Sequence, residues 1–312
     1  MNFQKNVSLK NYCNYKIGGP ARLFTEVSSV KELKDVLFSV RQNKGLKIFI
    51  LGEGTNLLIS DKGFDGLVIH NKIGGIKHQG SILTAGSGVL VSDLLDFCIE
   101  NSLSGLEWAG GLPGTVGGAV RGNAGAFGGE TKDSVLEVRS LNITTLQEKT
   151  RTNSECNFAY RNSIFKSGEG AEEFVTSVTF SLKSGKKEEI QKAIQEKIEY
   201  RNNRHPMDYP NIGSIFKNVP FENLPANLQE EFRQYVKNDP FPVMPTAKLI
   251  FLAGLKGKII GGAMVSDKHT NFIINFDNAR AEDVGQLIAL EKQVVKDKFG
   301  IILEEEIICL GS

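Results

Sequence analysis

Apolar positions along the chain change period several times, and each change marks an element. Between residues 29 and 45, Val30, Leu33, Leu37 and Val40 fall on one face of a 3.6-residue repeat. Ser29 with Glu32 three positions later is a capping-box start, and Gly45 is the expected stop. The continuous apolar run "LKIFIL" predicts a buried strand, and "GLVIHN" and "SILTAGSG" predict two more. Residues 1–70 therefore read as βαβ-like. "VSDLLDFCIENS" returns to helical spacing, and from Val135 the segments "VLEVRSLNIT" and "EFVTSVTFSL" read as strands. "KKEEIQKAIQEKIEYRNNRHP" predicts a helix with Ile190, Ala193, Ile194 and Ile198 on one face, ended by Pro206. A domain boundary is expected near residue 204. Beyond it the pattern predicts a helix around Leu228, Phe232, Tyr235 and Val236, then two strands. A long helix with Val284, Leu287, Ile288 and Val295 inward and a last strand, "IILEEEIICLG", follow. The class is α+β with several domains and no internal repeat.

Composition narrows the setting. A chain of 312 residues exceeds one small core. It is 40% hydrophobic and 23% charged with a net charge of +1, and its Lys and Arg are spread evenly, so no basic stripe points to nucleic acid. The first sixteen residues, "MNFQKNVSLKNYCNYK", lack a signal-peptide core, and no apolar run approaches the ~20 residues of a membrane helix. Cys13, Cys98, Cys156 and Cys309 are scattered singly, without CxxC spacing. They read as four small hydrophobes of a reducing compartment, with no disulfide framework and no metal site. The expected location is cytoplasmic.

Two glycine segments carry the candidate chemistry. "GEGTN" (Gly52–Asn56) follows a buried strand, and its successive backbone N–H groups suit a phosphate, with Thr55 and Asn56 as further donors. Glu53 opposes a bare phosphate unless its side chain points away, and the segment equally fits a simple turn. It is neither G-x-G-x-x-G nor a P-loop, because Leu57 replaces the third glycine and no Lys-Ser/Thr follows. The second segment has nine glycines among the twenty residues from Gly110 to Gly129, interleaved with Val116, Val120 and Phe127. Flexible linkers are polar and Ser-rich, so this density predicts buried backbone against a flat ligand with a pyrophosphate.

Seven motifs occur in order: "IGGPA", "LGEGTNLLISDKGFDGLVI", "GLEWAGGLPGTVGGAVRGNAGAFGGE", "YRNSIFK", "GSIFKN", "AGLKGKIIGGAMVSDKHTNFIIN" and "LEEEI". Over residues 9–310 the chain resembles the UDP-N-acetylenolpyruvoylglucosamine reductase family of bacterial peptidoglycan synthesis. The resemblance implies an FAD-binding fold of the vanillyl-alcohol-oxidase type in two subdomains, residues 1–72 and 73–204. It also implies a C-terminal α+β substrate-binding domain, 205–312, whose last strand returns to the active site. FAD would be non-covalent, with NADPH as co-substrate and UDP-N-acetylglucosamine enolpyruvate as the sugar-nucleotide substrate. The cofactor contacts implied are Gly52, Glu53, Gly54, Thr55, Asn56, Leu57, Gly114, Thr115, Gly117, Gly118, Asn123, Ala124 and Gly125. No Rossmann fingerprint exists to read the nicotinamide, so NADPH rests on the resemblance.

The implied reaction passes hydride through flavin N5 to C3 of the enolpyruvyl ether and a proton to C2. Charge building toward the carboxylate needs a cation or donor, and C2 needs an acid. By motif, Arg161 in "YRNSIFK" is the cation, Ser214 in "GSIFKN" the proton donor, and Glu306 in "LEEEI" the carboxylate that helps polarise substrate. The run Glu304–Glu306 leaves that register open. Tyr160, Lys217, Asn218, His269 and Asn271 are the implied substrate contacts; a packed core histidine fits His269 equally. Tyr160 and Lys166 equally fit packing, as does Trp108. Departures are Thr55 for the usual serine, "HTN" for "HAN", and an insertion at 220–245 whose role as lid, brace or oligomer contact is open. His70 and Cys98 stay open as covalent flavin anchors. Another FAD oxidoreductase of the same superfold, or a flavin-binding module without turnover, are the competing readings.

Overall fold

In the computed structural model, which describes residues 3–43 and 45–311, the chain divides into two compact units. One comprises Met1–Asn6, Arg22–Glu53 and Asp65–Tyr200; the other Val7–Ala21, Gly54–Phe64 and Arg201–Ser312. One crossing falls inside "GEGTN", between Glu53 and Gly54.

The first unit holds two larger sheets. A four-stranded sheet has the order Gln4–Ser8, Pro20–Val27, Phe64–Asn71, Lys47–Leu51, the last two parallel with Leu51 opposite His70. The amphipathic stripe at 30–40 becomes helix α1 (Val30–Val40) and places Leu33, Val36 and Leu37 in a cluster with Val27, Leu67 and Ile69. Ser29 caps it as expected, accepting from the Glu32 N–H at 3.1 Å, but Glu32 returns to the N–H of Ser28 rather than Ser29. The helix ends at Val40, short of the Gly45 stop.

The second sheet is antiparallel, in the order Glu148–Thr152, Val135–Asn142, Glu173–Ser181, Ile82–Gly86, Ile76–Gln79. Helices α2 (Val91–Glu100), α3 (Val116–Arg121) and α4 (Lys187–Arg204) contribute Leu94, Leu95, Val116, Val120, Ile190 and Ile194 to its core cluster. Helix α3 lies inside the long glycine segment and is absent from the sequence reading. Its Gly117 and Gly118 each cost about 1 kcal/mol against alanine, so packing holds it: Val116 and Val120 are fully buried.

The second unit contains α5 (Ala226–Phe232), α6 (Thr246–Leu252) and α7 (Ala281–Phe299). Its two three-stranded sheets have the orders Val219–Pro220, Pro242–Met244, Lys237–Asn238 and Ile259–Ile260, Ala263–Val265, Ile273–Asn275. The 220–245 insertion is thus closed by strand pairing at its base. Fully buried Phe232 stacks edge-on against Phe299 of α7 at 5.6 Å, which is the geometry of a brace. Gly300 (φ 69°) ends α7 in the left-handed cap expected of glycine. The last predicted strand shrinks to Ile308–Leu310, pairing parallel with Leu57–Ile59. Three consecutive glutamates interrupt the apolar pattern that would extend it, and a single bridge, Phe216 to Glu305, is the pairing left in 301–307.

Candidate active site

In the first unit the two glycine segments meet. A Cβ built on Gly52 would stand 3.0 Å from Thr115 Oγ1. Glu53 points to Lys72 (2.9 Å), with His70 Nε2 at 3.9 Å. Its charge is therefore answered by the Lys72 ammonium, which removes the objection to an anion at this turn. His70 is itself buried and bonded through Nδ1 to Glu26 (2.8 Å). Cys98 is buried in the core, and burial pushes its thiol up to about 12, so no thiolate forms at neutral pH.

Several glycines of the long segment serve chain packing. A Cβ would meet Ser87 at Gly117 (2.9 Å), Glu130 at Gly125 (2.8 Å) and Trp108 at Gly129 (2.4 Å). Gly118 differs, because its Cβ would meet only Thr115 Oγ1 at 3.5 Å. Gly114 takes φ 109° and accepts from the Val91 N–H. Thr115 Oγ1 accepts from the Gly118 N–H, which leaves its own proton to donate outward. Asn123 is committed within the protein: it donates to Glu130 (3.2 Å) and the Ala159 carbonyl (3.0 Å) and accepts from the Lys132 N–H (3.1 Å). Ala124 is held likewise through Ala119 and Thr131. The Ala124 N–H and carbonyl are both committed, and the Asn123 N–H donates to Val120 (3.2 Å), so a cofactor contact of Ala124 would be apolar, through its methyl group. Glu130, buried and paired with Lys132 at 2.5 Å, anchors the loop. Sequence reasoning passed over it, because a lone Glu carries no signal for burial.

Arg161 stands in a two-residue turn closed by mutual bonds between Ala159 and Asn162 (3.0 and 3.1 Å). Its φ of 55° is unusual for a side-chain-bearing residue and costs about 1–2 kcal/mol. One guanidinium nitrogen donates to the Gly125 carbonyl (2.8 Å), the Tyr160 ring lies 5.1 Å away, and Lys166 binds the Arg161 carbonyl (3.0 Å). Arg161, Tyr160, Gly125 and Asn123 are therefore brought together.

In the second unit, Gly54 takes φ 61° and a Cβ there would lie 2.2 Å from the Tyr12 carbonyl. Among the described residues, no protein acceptor faces the backbone N–H groups of Gly54, Thr55 and Asn56. A positive φ between exposed N–H groups makes an anion nest, which fits a pyrophosphate. Leu57 is buried and paired opposite Ile308. The Asn56 amide is spent differently from expectation: it donates to the Glu306 carbonyl (3.1 Å), and the Asn56 carbonyl accepts from Ile308 (3.0 Å).

Ser214 follows Gly213 (φ 82°), whose N–H is held by Asn211 Oδ1 (3.0 Å). Asn271 clamps the next residues from both sides, accepting from the Phe216 N–H (3.0 Å) and donating to its carbonyl (2.8 Å). The Asn271 carbonyl accepts from Ile215 (2.8 Å), and the Glu306 N–H donates to the Ile215 carbonyl (2.8 Å). Ser214 and Glu306 thus sit on adjoining backbone, far apart in sequence. Asn218 accepts from Thr246, Thr246 binds the Lys217 carbonyl (2.5 Å), and Lys217 pairs with Glu304. Asn271 is therefore a brace of the serine loop. His269 packs edge-on against Phe272 (4.8 Å) and His205 (5.3 Å). Burial first, then Lys237, lowers its pKa to about 4, so it is neutral at physiological pH. Among the described residues no His, Cys, Asp and Glu group is placed to hold a metal ion.

Residues 21–145 match a family model described as an FAD binding domain, and 205–310 match one described as UDP-N-acetylenolpyruvoylglucosamine reductase, C-terminal domain. The UDP-N-acetylenolpyruvoylglucosamine reductase of Caldanaerobacter subterraneus subsp. tengcongensis is 39% identical over 98% of this chain and 93% of its own length. That of Lactobacillus delbrueckii subsp. bulgaricus is 36% identical over 100% and 96%. The crystal structure of the Thermus caldophilus reductase is 29% identical, covers 99% of both chains and superposes with a TM-score of 0.77.

Proposed function

The chain belongs to the UDP-N-acetylenolpyruvoylglucosamine reductase family, and on that premise we propose how its own residues carry the reaction. It is an α+β flavoprotein oxidoreductase that uses FAD and NADPH to reduce the enolpyruvyl ether of a UDP-sugar in peptidoglycan synthesis. Bound FAD supplies the hydride chemistry between NADPH and C3 of the substrate. In the second unit the nest at Gly54–Asn56 would hold its pyrophosphate; in the first, Thr115 and Gly118 are the surface proposed for cofactor contact.

Hydride arriving at C3 drives an electron pair toward the substrate carboxylate, giving an enolate-like dianion. Arg161 supplies a fixed, permanently charged fork to that carboxylate. Ser214 gives its hydroxyl proton to C2, and Glu306 polarises the substrate beside it. A serine is a weak acid, so its loop must be preorganised. Gly213, Asn271 and the backbone of Glu306 supply that rigidity. The observation that carries the reading is the bond from the Glu306 N–H to the Ile215 carbonyl. It sets the carboxylate segment against the residue after Ser214. Tyr160, Lys217, Asn218 and His269 complete the proposed substrate contacts.

We further assign 1–72 and 73–204 to cofactor binding and 205–312 to substrate binding. The protein is read as cytoplasmic, taking a diffusible sugar nucleotide, with no nucleic-acid or membrane partner. No described helix is long and apolar enough to cross a membrane. The purified yellow protein should oxidise NADPH only when UDP-N-acetylglucosamine enolpyruvate is present and yield UDP-N-acetylmuramate. Rapid NADPH oxidation by O₂ alone would favour an oxidase instead.

A further inference from the structure

Three consecutive glutamates pose a register problem that the second unit resolves. Ile301 and Leu303 face inward and Ile302 is 76% exposed, so Glu305 continues the inward row toward Ile307. Glu304 is exposed, whereas Glu305 and Glu306 are both half-buried. A slip of one residue would exchange the rows and present a different carboxylate beside the serine loop. Backbone bonds oppose such a slip: the Lys217 N–H donates to Glu304 (2.9 Å), the Glu306 N–H to Ile215 (2.8 Å) and the Ile308 N–H to Asn56 (3.0 Å), where the Ile308–Leu310 pairing with Leu57–Ile59 begins.

Side chains break the degeneracy. Lys217 takes Glu304. Glu305, between two apolar neighbours on the inward row, is met by Lys292 Nζ at 2.9 Å. Lys292 is carried by α7, a helix anchored through Val284, Leu287, Ile288 and Val295, which brings its side chain to Glu305.

We propose that Lys292 is a positioning residue for the reaction: by pairing with Glu305 it locks the register of 304–306 and so presents Glu306 beside the Ser214 loop. The proposal rests on the assignment of Glu306 as the reacting carboxylate. Without Lys292, Glu305 loses the half-exposed ion pair that ties its segment to α7. The segment then shifts, and Glu306 moves with it.

The test follows both half-reactions of the FAD-loaded enzyme by stopped flow. Lys292→Met should slow flavin reoxidation by the enolpyruvyl substrate about 10- to 100-fold, the effect of an ångström-scale misplacement. Flavin reduction by NADPH should keep its native rate. Lys292→Arg should restore reoxidation. The double variant Lys292→Met with Glu305→Gln should recover most of it, because the unpartnered charge is gone. Hydrogen exchange gives a readout apart from activity. The Glu306 and Ile308 amides should exchange faster in Lys292→Met and return toward native protection in the double variant. If Lys292→Met misfolds, Lys292→Gln carries the same expectations. Native reoxidation in the single variant, or a double variant as slow as the single, overturns the proposal. Glu306→Gln separates the two levels: unimpaired reoxidation there contradicts the Glu306 assignment itself. Impaired reoxidation there with a native Lys292→Met contradicts only the register lock.

Discussion

At the scale of single residues, the structure's main surprise is a carboxyl group. Glu291 on α7 is 1% exposed and both its oxygens lack a hydrogen-bond partner. Burial pushes its pKa well above the ordinary carboxylate range, so the folded state holds a proton that the unfolded chain releases. Stability from this group is therefore full below the unfolded pKa of about 4.3 and is lost as pH rises through the folded value, by up to about 1.4 kcal/mol per unit. Replacing Glu291 with Met should flatten the decline of melting temperature above pH 5, and an unchanged slope would refute this account. Its spacing places it on the inward stripe of Val284, Leu287, Ile288 and Val295, but residue type alone argued for a solvated position among Lys and Gln. The same blindness explains Asn56, Asn123 and Asn271. Residue type and motif made all three candidates for ligand contact. Which of their polar atoms are already taken depends on partners from distant segments, such as Glu306, Ala159 and Phe216.

At the scale of elements, strands and long helices were legible because their apolar periodicity is sustained. α1, α2, α4 and α7 each carry a regular buried stripe, and the five strands of the antiparallel sheet include both segments read after Val135. Short elements governed by tertiary packing were not legible. α3 is built on glycines that local preference argues against, and the final strand is cut back where Glu304–Glu306 break its alternation. The glycine segments now sort by what each position faces. Gly54→Ala must place a Cβ 2.2 Å from a carbonyl at φ 61°, and should cost about 2 kcal/mol or more with loss of FAD affinity. Gly118→Ala meets no close atom and lies in α3, so the apoprotein should gain up to about 1 kcal/mol. FAD titration of that apoprotein should nevertheless show weaker binding, because the methyl group fills the surface assigned to the cofactor. Unchanged affinity would remove Gly118 from the contact surface.

For the whole molecule, order carried more information than any single motif. Seven segments in one sequence identified the family, and the comparisons bear out the FAD-binding and reductase assignments over nearly the full chain. Cofactor and reaction were thus readable, whereas the division into two interleaved units was not. Residues 7–21 and 54–64 belong with the C-terminal segment, and no local pattern announces that. The central claim is that Ser214 delivers the proton to C2. It is tested most directly by following the flavin absorbance of Ser214→Ala through the two half-reactions separately. The account predicts native reduction by NADPH and reoxidation by the enolpyruvyl substrate slowed about 10²- to 10⁴-fold, the range of a lost general acid. Native rates in both half-reactions would contradict it.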